Sequence, residues 1–139
     1  MPEKSKNNLI DAAVKVRENA YCPFSQFHVG AAVLTDTGEI YGGCNVENQS
    51  FPCGWCAEVS AIAAAVSHGH RNFVGLAVST NAKDFVAPCG RCRQAFAEFT
   101  QPEATVYLVN CDGHVKETTM RDILPLSFDL NECQRSKGK

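Results

Sequence analysis

The sequence predicts an α/β fold, a three-layer α/β/α sandwich around a mixed, roughly five-stranded sheet. Three observations carry this. An amphipathic helical segment opens the chain, and two short apolar runs joined by Asp36-Thr37-Gly38 follow it. After them, β-like runs alternate with helical ones. A hairpin leading into strand–helix alternation requires both antiparallel and parallel pairs, with helices covering the faces.

Each element has its own justification. Lys4 to Ala20 sets Leu9, Ile10, Ala13, Val14 and Val16 at near-helical spacing, and Pro23 stops the helix by disfavouring α conformation in the residue before it. Phe27 to Leu34 is mostly apolar and reads as a buried strand; Glu39 to Cys44 is its hairpin partner. Asn45 to Trp55 has no period and mixes Asn, Gln, Ser, Pro and Gly, so it is expected as a loop delivering side chains. Cys56 to His68 is Ala-rich and apolar on nearly every side, a buried helix ended by Gly69. Phe73 to Ser79 is a short strand and Cys89 to Phe99 a further helix. Thr105 to Asn110 is a β-like run, Asp112-Gly113 a turn, and Thr119 to Leu124 a last short helix. The polar tail from Asn131 is expected to fray.

With 139 residues the chain is most simply one domain, spanning 1–139. A net charge of −2, with both signs interspersed, gives no electrostatic reason for a nucleic-acid or membrane partner. No stretch is apolar enough to span a bilayer, and Met1 to Asn8 has no apolar core of a signal peptide, so the cytoplasm is the expected compartment. That compartment argues against a disulfide framework for the eight cysteines. Cys22, Cys44, Cys53, Cys111 and Cys133 are read as free thiols.

The chemistry lies in Cys56-Ala57-Glu58 and Pro88-Cys89-Gly90-Arg91-Cys92. Three cysteines can hold Zn²⁺ through thiolates and leave a fourth position open, the catalytic rather than the structural arrangement. Both segments are expected to open helices, where unpaired N–H groups and the positive dipole end stabilise thiolates. Cys89 and Cys92 fall on one helix face and can chelate one ion. Glu58 stands ready to move protons. Taken alone, Glu58 is an ordinary first-turn acid and C-x-x-C an ambiguous redox or structural motif; their conjunction points to catalysis. Cys53, three residues before Cys56, could instead close a structural four-cysteine site. His28, His68, His70 and His114 show no ligand spacing to the cysteines.

These residues resemble the small, homotetrameric class of zinc-dependent cytidine deaminases, from the first helix to Phe128. The similar stretches are Tyr21–Phe27, Val29–Ala32, Asn45–Asn48, Cys56–Glu58, Pro88–Gln94 and Leu124–Phe128. The resemblance implies Cys56, Cys89 and Cys92 as ligands of one zinc ion per chain and Glu58 as the proton shuttle. It further implies Asn45 and Glu47 on the ribose 3′-hydroxyl, Phe27 against the base, and Phe51 and Phe128 completing sites across subunit boundaries of a homotetramer. The expected reaction is hydrolysis of cytidine and deoxycytidine to uridine and deoxyuridine in pyrimidine salvage, on a small nucleoside rather than a nucleic acid. Val59 departs from the family, which has Arg directly after the glutamate; Arg91, then Arg93, are the substitute cations. Blasticidin-S deaminases also lack that Arg, so a modified cytosine nucleoside is the alternative substrate. Gln49 and Trp55 are further departures.

Overall fold

The computed structural model describes residues 1–130; the tail from Asn131, including Cys133, lies outside the described residues. The opening segment forms α1 (Glu3–Val16), and a 3₁₀ turn over Arg17–Asn19 takes the last residues expected to be α-helical. Five strands follow: β1 (Val29–Thr35), β2 (Ile40–Cys44), β3 (Phe73–Thr80), β4 (Thr100–Val109) and β5 (Val115–Thr119). They form one sheet in the order β2-β1-β3-β4-β5. β1 and β2 make the expected antiparallel hairpin, in register from Gly30 opposite Cys44 to Leu34 opposite Ile40.

The order of connections positions everything else. β2 and β3 both pair antiparallel with β1, on opposite sides, so they run parallel to each other. α2 (Ala57–Ser67) connects them, and α3 (Gly90–Ala97) connects β3 to its parallel neighbour β4. Parallel crossovers are right-handed. Two such crossovers stepping the same way across a sheet put their helices on the same face, each starting where a strand has just ended. α2 and α3 therefore begin side by side at the carboxyl ends of β2 and β3, the edge where open α/β sheets bind ligands.

Packing agrees with this layout. Val29, Ala31 and Val33 of β1 face one way, into a core with Ala57, Ala61 and Ile62 of α2 and Phe96 of α3. Ala32 and Leu34 face the other way, against Leu9 and Ala13 of α1. Buried on both sides, β1 reads as a continuous apolar run rather than an alternating one. α2 keeps only one face covered within the chain: Ala57, Glu58, Ala61, Ile62 and Ala65 are buried, whereas Ala63 is exposed and Val59 partly so. Gly69, at φ +96°, ends this helix as expected.

Two elements differ from the sequence expectation. β4 starts at Thr100, because Thr100 pairs with Phe73 across a register shift in β3. β5 completes the expected count of about five strands, but the sequence alone places no strand there. Val-Lys-Glu-Thr-Thr carries no apolar alternation, since this edge strand covers no core, and pairing of its backbone with β4 alone makes it a strand. It runs into α4 (Met120–Ile123), whose capping Thr119 Oγ1 accepts from Asp122 N at 3.3 Å.

α1 crosses β1 at Gly30, where a Cβ would stand 2.2 Å from the Ala13 carbonyl oxygen and 2.6 Å from Arg17 N. Backbone atoms of a packed helix cannot give way. Gly30→Ala is therefore expected to lower the free energy of urea unfolding by about 1–3 kcal/mol. At Gly90 a Cβ would meet nothing within 4 Å, so Gly90→Ala is the near-neutral control.

Candidate metal and substrate site

Cys56 is the N-cap of α2 and Cys89 the N-cap of α3, and neither helix has a side-chain cap bond. Both thiols are thus free of the helices they introduce. Cys92 lies in the first turn of α3, fully buried. The Sγ atoms of Cys56 and Cys89 are 3.9 Å apart, and those of Cys89 and Cys92 are 3.5 Å apart. All three lie within 4.8 Å of one another. A tetrahedral ion with Zn–S bonds of about 2.3 Å holds its sulfurs about 3.8 Å apart, so the donor set fits that metal in both spacing and chemistry.

The thiols share protons. Cys92 donates to Cys56, and this contact, with help from Cys89 and Arg91 and against burial, lowers Cys56 to about 6. The same contact, then burial, pushes Cys92 up. The two shifts are opposite because the same Cys56–Cys92 contact acts on both thiols. A dication displacing the remaining protons would satisfy all three sulfurs.

Glu58 sits in the first turn of α2, only 5% exposed. Burial raises its pKa and the charge of Cys56 adds to this, opposed by its own backbone N–H and by Cys92. It is a carboxyl beside the thiols that can hold a proton as well as lose one. Of the two substitute cations, Arg93 is committed elsewhere: Nε donates to the Pro88 carbonyl at 2.6 Å and its guanidinium to the Ile123 carbonyl at 3.0 Å. That tie fastens the loop before Cys89 to the end of α4. Arg91 lines the site and its charge acts on Cys56.

Cys56 and Cys89 line a cleft of about 710 Å³, within the usual range for small-molecule sites, with Cys92 buried behind them. Phe27, Asn45, Glu47 and Phe51 line it with Cys56, Glu58 and Cys89, so most sequence-predicted site residues converge there. Phe51 belongs to the wall of its own chain's cleft, packed edge-on against Phe24 with ring centroids 5.8 Å apart. It is 75% exposed. Phe128 is 68% exposed and is not among the residues lining this cleft.

Residues 45–47 form an extended rail across the cleft. Val46 N donates to Trp55 O at 3.0 Å and Trp55 N to Val46 O at 2.9 Å, while Glu47 N donates to Tyr21 O at 2.7 Å. Asn45 Nδ2 donates to Phe27 O at 2.7 Å and its Oδ1 accepts from Val29 N at 3.0 Å. Glu47 Oε1 accepts from Phe24 N at 2.9 Å and Ser25 N at 3.1 Å, and its Oε2 accepts from Ser25 Oγ. The Ser25 hydroxyl above all holds the Glu47 carboxyl below the usual carboxylate range. Asn45 and Glu47 therefore brace the segment 24–29 as well as facing the cleft. Sequence reasoning missed Phe24 and Ser25 as cleft residues, although they stand in the Tyr21–Phe27 stretch; their place depends on this bracing.

Cys53 does not join the cluster. It lies in a 3₁₀ turn, Phe51–Cys53, and its thiol donates to Ser50 Oγ at 3.6 Å. Among the described residues, Cys56, Cys89 and Cys92 are the group placed to hold a metal, without a fourth cysteine. The described cysteines are all free.

An α/β sandwich carrying three thiols and a buried carboxyl where two helices begin has the layout of the zinc deaminases. The chain belongs to the family of the cytidine and deoxycytidylate deaminase zinc-binding region, which it matches over residues 3–109. It is 48% identical over 124 residues to a cytidine deaminase of Sporosarcina psychrophila, covering 89% of this chain and 91% of that protein. The crystal structure of cytidine deaminase from Burkholderia pseudomallei is 42% identical, with a TM-score of 0.83 over 92% of this chain and 100% of that one. A blasticidin-S deaminase of Bacillus cereus is 34% identical over 115 residues, covering 77% of this chain and 81% of that protein.

Proposed function

We propose that this chain hydrolyses cytidine and deoxycytidine to uridine and deoxyuridine, with Cys56, Cys89 and Cys92 holding one zinc ion and Glu58 carrying protons. The observation behind this reading is a cluster of three thiols, with sulfurs 3.5 and 3.9 Å apart, beside a cleft lined by Cys56, Cys89 and the buried Glu58. A zinc ion held by Cys56, Cys89 and Cys92 would supply the Lewis acidity that makes water nucleophilic near neutral pH. Glu58 would take a proton from the attacking water at a carboxylate oxygen and pass it to the ring nitrogen, then take the second proton from the new hydroxyl on the reacting carbon and pass it to the leaving amine. Water adds to the C–NH₂ carbon, the C–N bond breaks, and ammonia leaves with a carbonyl in its place. Phe27 packs against the base, and Asn45 and Glu47 offer polar groups to the sugar.

The single folded unit is read as one subunit of a homotetramer acting in pyrimidine salvage in the cytoplasm. Support comes from the open apolar surface: Ala63 on α2, Phe51 at the cleft, and Phe128, which would serve a neighbour's cleft rather than its own. Among the described residues no helix is long and apolar enough to cross a membrane.

The test is a metal assay combined with ultraviolet absorbance. The purified chain is expected to carry one zinc ion and to remove the cytosine chromophore of cytidine and deoxycytidine. Faster turnover of blasticidin S than of either nucleoside would move the substrate to the modified nucleoside that the Bacillus cereus relative's name describes. Zinc without turnover of any of the three would make the site structural.

A further inference from the structure

We infer that Ser25 is a positioning residue, which fixes the carboxylate of Glu47 and the backbone of Phe27 against each other so that sugar and base are gripped in register. This rests on the proposed deaminase reading and deepens it. One hydroxyl makes both connections. Ser25 Oγ donates to Glu47 Oε2 and accepts from Phe27 N at 3.0 Å, across a loop whose Gln26 has the unusual φ of +62°. Ser25 N adds a second bond to the same carboxylate at 3.1 Å. The charge-assisted bonds are the stronger kind, and they fix the orientation of a carboxylate that lines the cleft.

The loop needs such a tie because it has little else. Phe24, Ser25 and Gln26 are exposed, and no strand or helix includes them. Gln26 N donates to Cys22 O at 3.0 Å and Asn81 Nδ2 to Gln26 O at 3.0 Å, which pins the loop's ends but neither Glu47 nor the Phe27 amide. Without the hydroxyl, the Glu47 carboxylate keeps two backbone donors and gains freedom at Oε2, and the Phe27 N–H loses its acceptor. A carboxylate that wanders loses a sugar hydroxyl before it loses the chemistry at the thiols, which sit on α2 and α3.

Ser25→Ala is expected to raise KM for cytidine about tenfold with kcat changed less than about twofold, because uniform binding and not the chemical step is lost. With 3′-deoxycytidine, which lacks the hydroxyl assigned to Glu47, the same variant is expected to lose clearly less than with cytidine, about threefold at most, because only the Phe27 half of the tie still acts. Ser25→Thr, which keeps the hydroxyl, is expected to restore KM for cytidine. Unchanged KM for cytidine in Ser25→Ala overturns the proposal. So does an equal loss on both nucleosides, which would mean a general collapse of the cleft. If Ser25→Ala melts too low to assay, Ser25→Thr and Ser25→Cys carry the comparison, since a thiol is a weak donor. Equal KM values for that pair at equal melting temperature would reject the role. An inactive parent protein would instead refute the deaminase reading and is told apart by the parent's own assay.

Discussion

Glu58→Gln is expected to cut turnover of cytidine on the order of 10²–10⁴-fold, the usual contribution of positioned acid–base groups. The change is nearly isosteric, so the packing of a residue 5% exposed in the first turn of α2 is kept. What disappears is the ability to accept a proton at one moment and release it at the next. An amide can still donate to a sulfur or accept from a backbone N–H, which is why zinc content and fold are expected to persist. The measurements are metal analysis, circular dichroism and initial rates on the same preparation. A Gln variant with one zinc and near-parental turnover would remove Glu58 from the chemistry; a variant without zinc would show that the carboxyl supports the metal instead.

Cys89→Ser is expected to abolish activity and weaken zinc binding by more than about 100-fold, beyond the 10–100-fold typical of losing a mere supporting contact to a ligand. The argument turns on where Cys89 stands. It is exposed and caps α3 without a side-chain cap bond, and serine is among the best N-cap residues. The zinc-free variant is therefore expected to be as stable as the zinc-free parent, or more stable by up to about 1 kcal/mol. Chelation separates the two proteins. With free zinc at a hundred times its dissociation constant, metal stabilises the parent by about 2.7 kcal/mol, and the chelator removes this gain. In Cys89→Ser the chelator is expected to shift nothing. A variant that binds zinc as tightly as the parent would break the ligand assignment, and one that is unstable without zinc would show Cys89 to be structural.

The fold was legible wherever burial imposes a period or a run. β1 reads as apolar throughout because α1 covers one face and α2 with α3 the other, and α1 shows its buried Leu9 and Ala13 one turn apart. The thiols and Glu58 were legible for a different reason. Metal binding and proton transfer demand particular atoms, and a helix start fixes their spacing, so the sequence already places Cys89 and Cys92 within reach of one another, as their sulfurs at 3.5 Å are.

What the sequence could not decide were matters set by backbone pairing and by distant contacts. β5 is a strand only because β4 offers it hydrogen-bond partners, and its Lys116 and Glu117 carry no mark of that. Cys53 and Cys56 have the same local C-x-x-C spacing as Cys89 and Cys92. Yet a 3₁₀ turn directs Cys53 to Ser50 and leaves the cluster at three sulfurs, which only the folded loop could establish. Ser25 and Glu47 are 22 residues apart, and Arg93 and Ile123 are 30 apart, so neither contact has a local signal. Composition, period and ligand spacing are local properties, so the α/β class and the chemical kind of the site could be read from the chain before it folds. Which thiols converge and what holds the carboxylate of the rail emerge only on folding. Those depend on two crossovers bringing separate helix starts to one edge of the sheet.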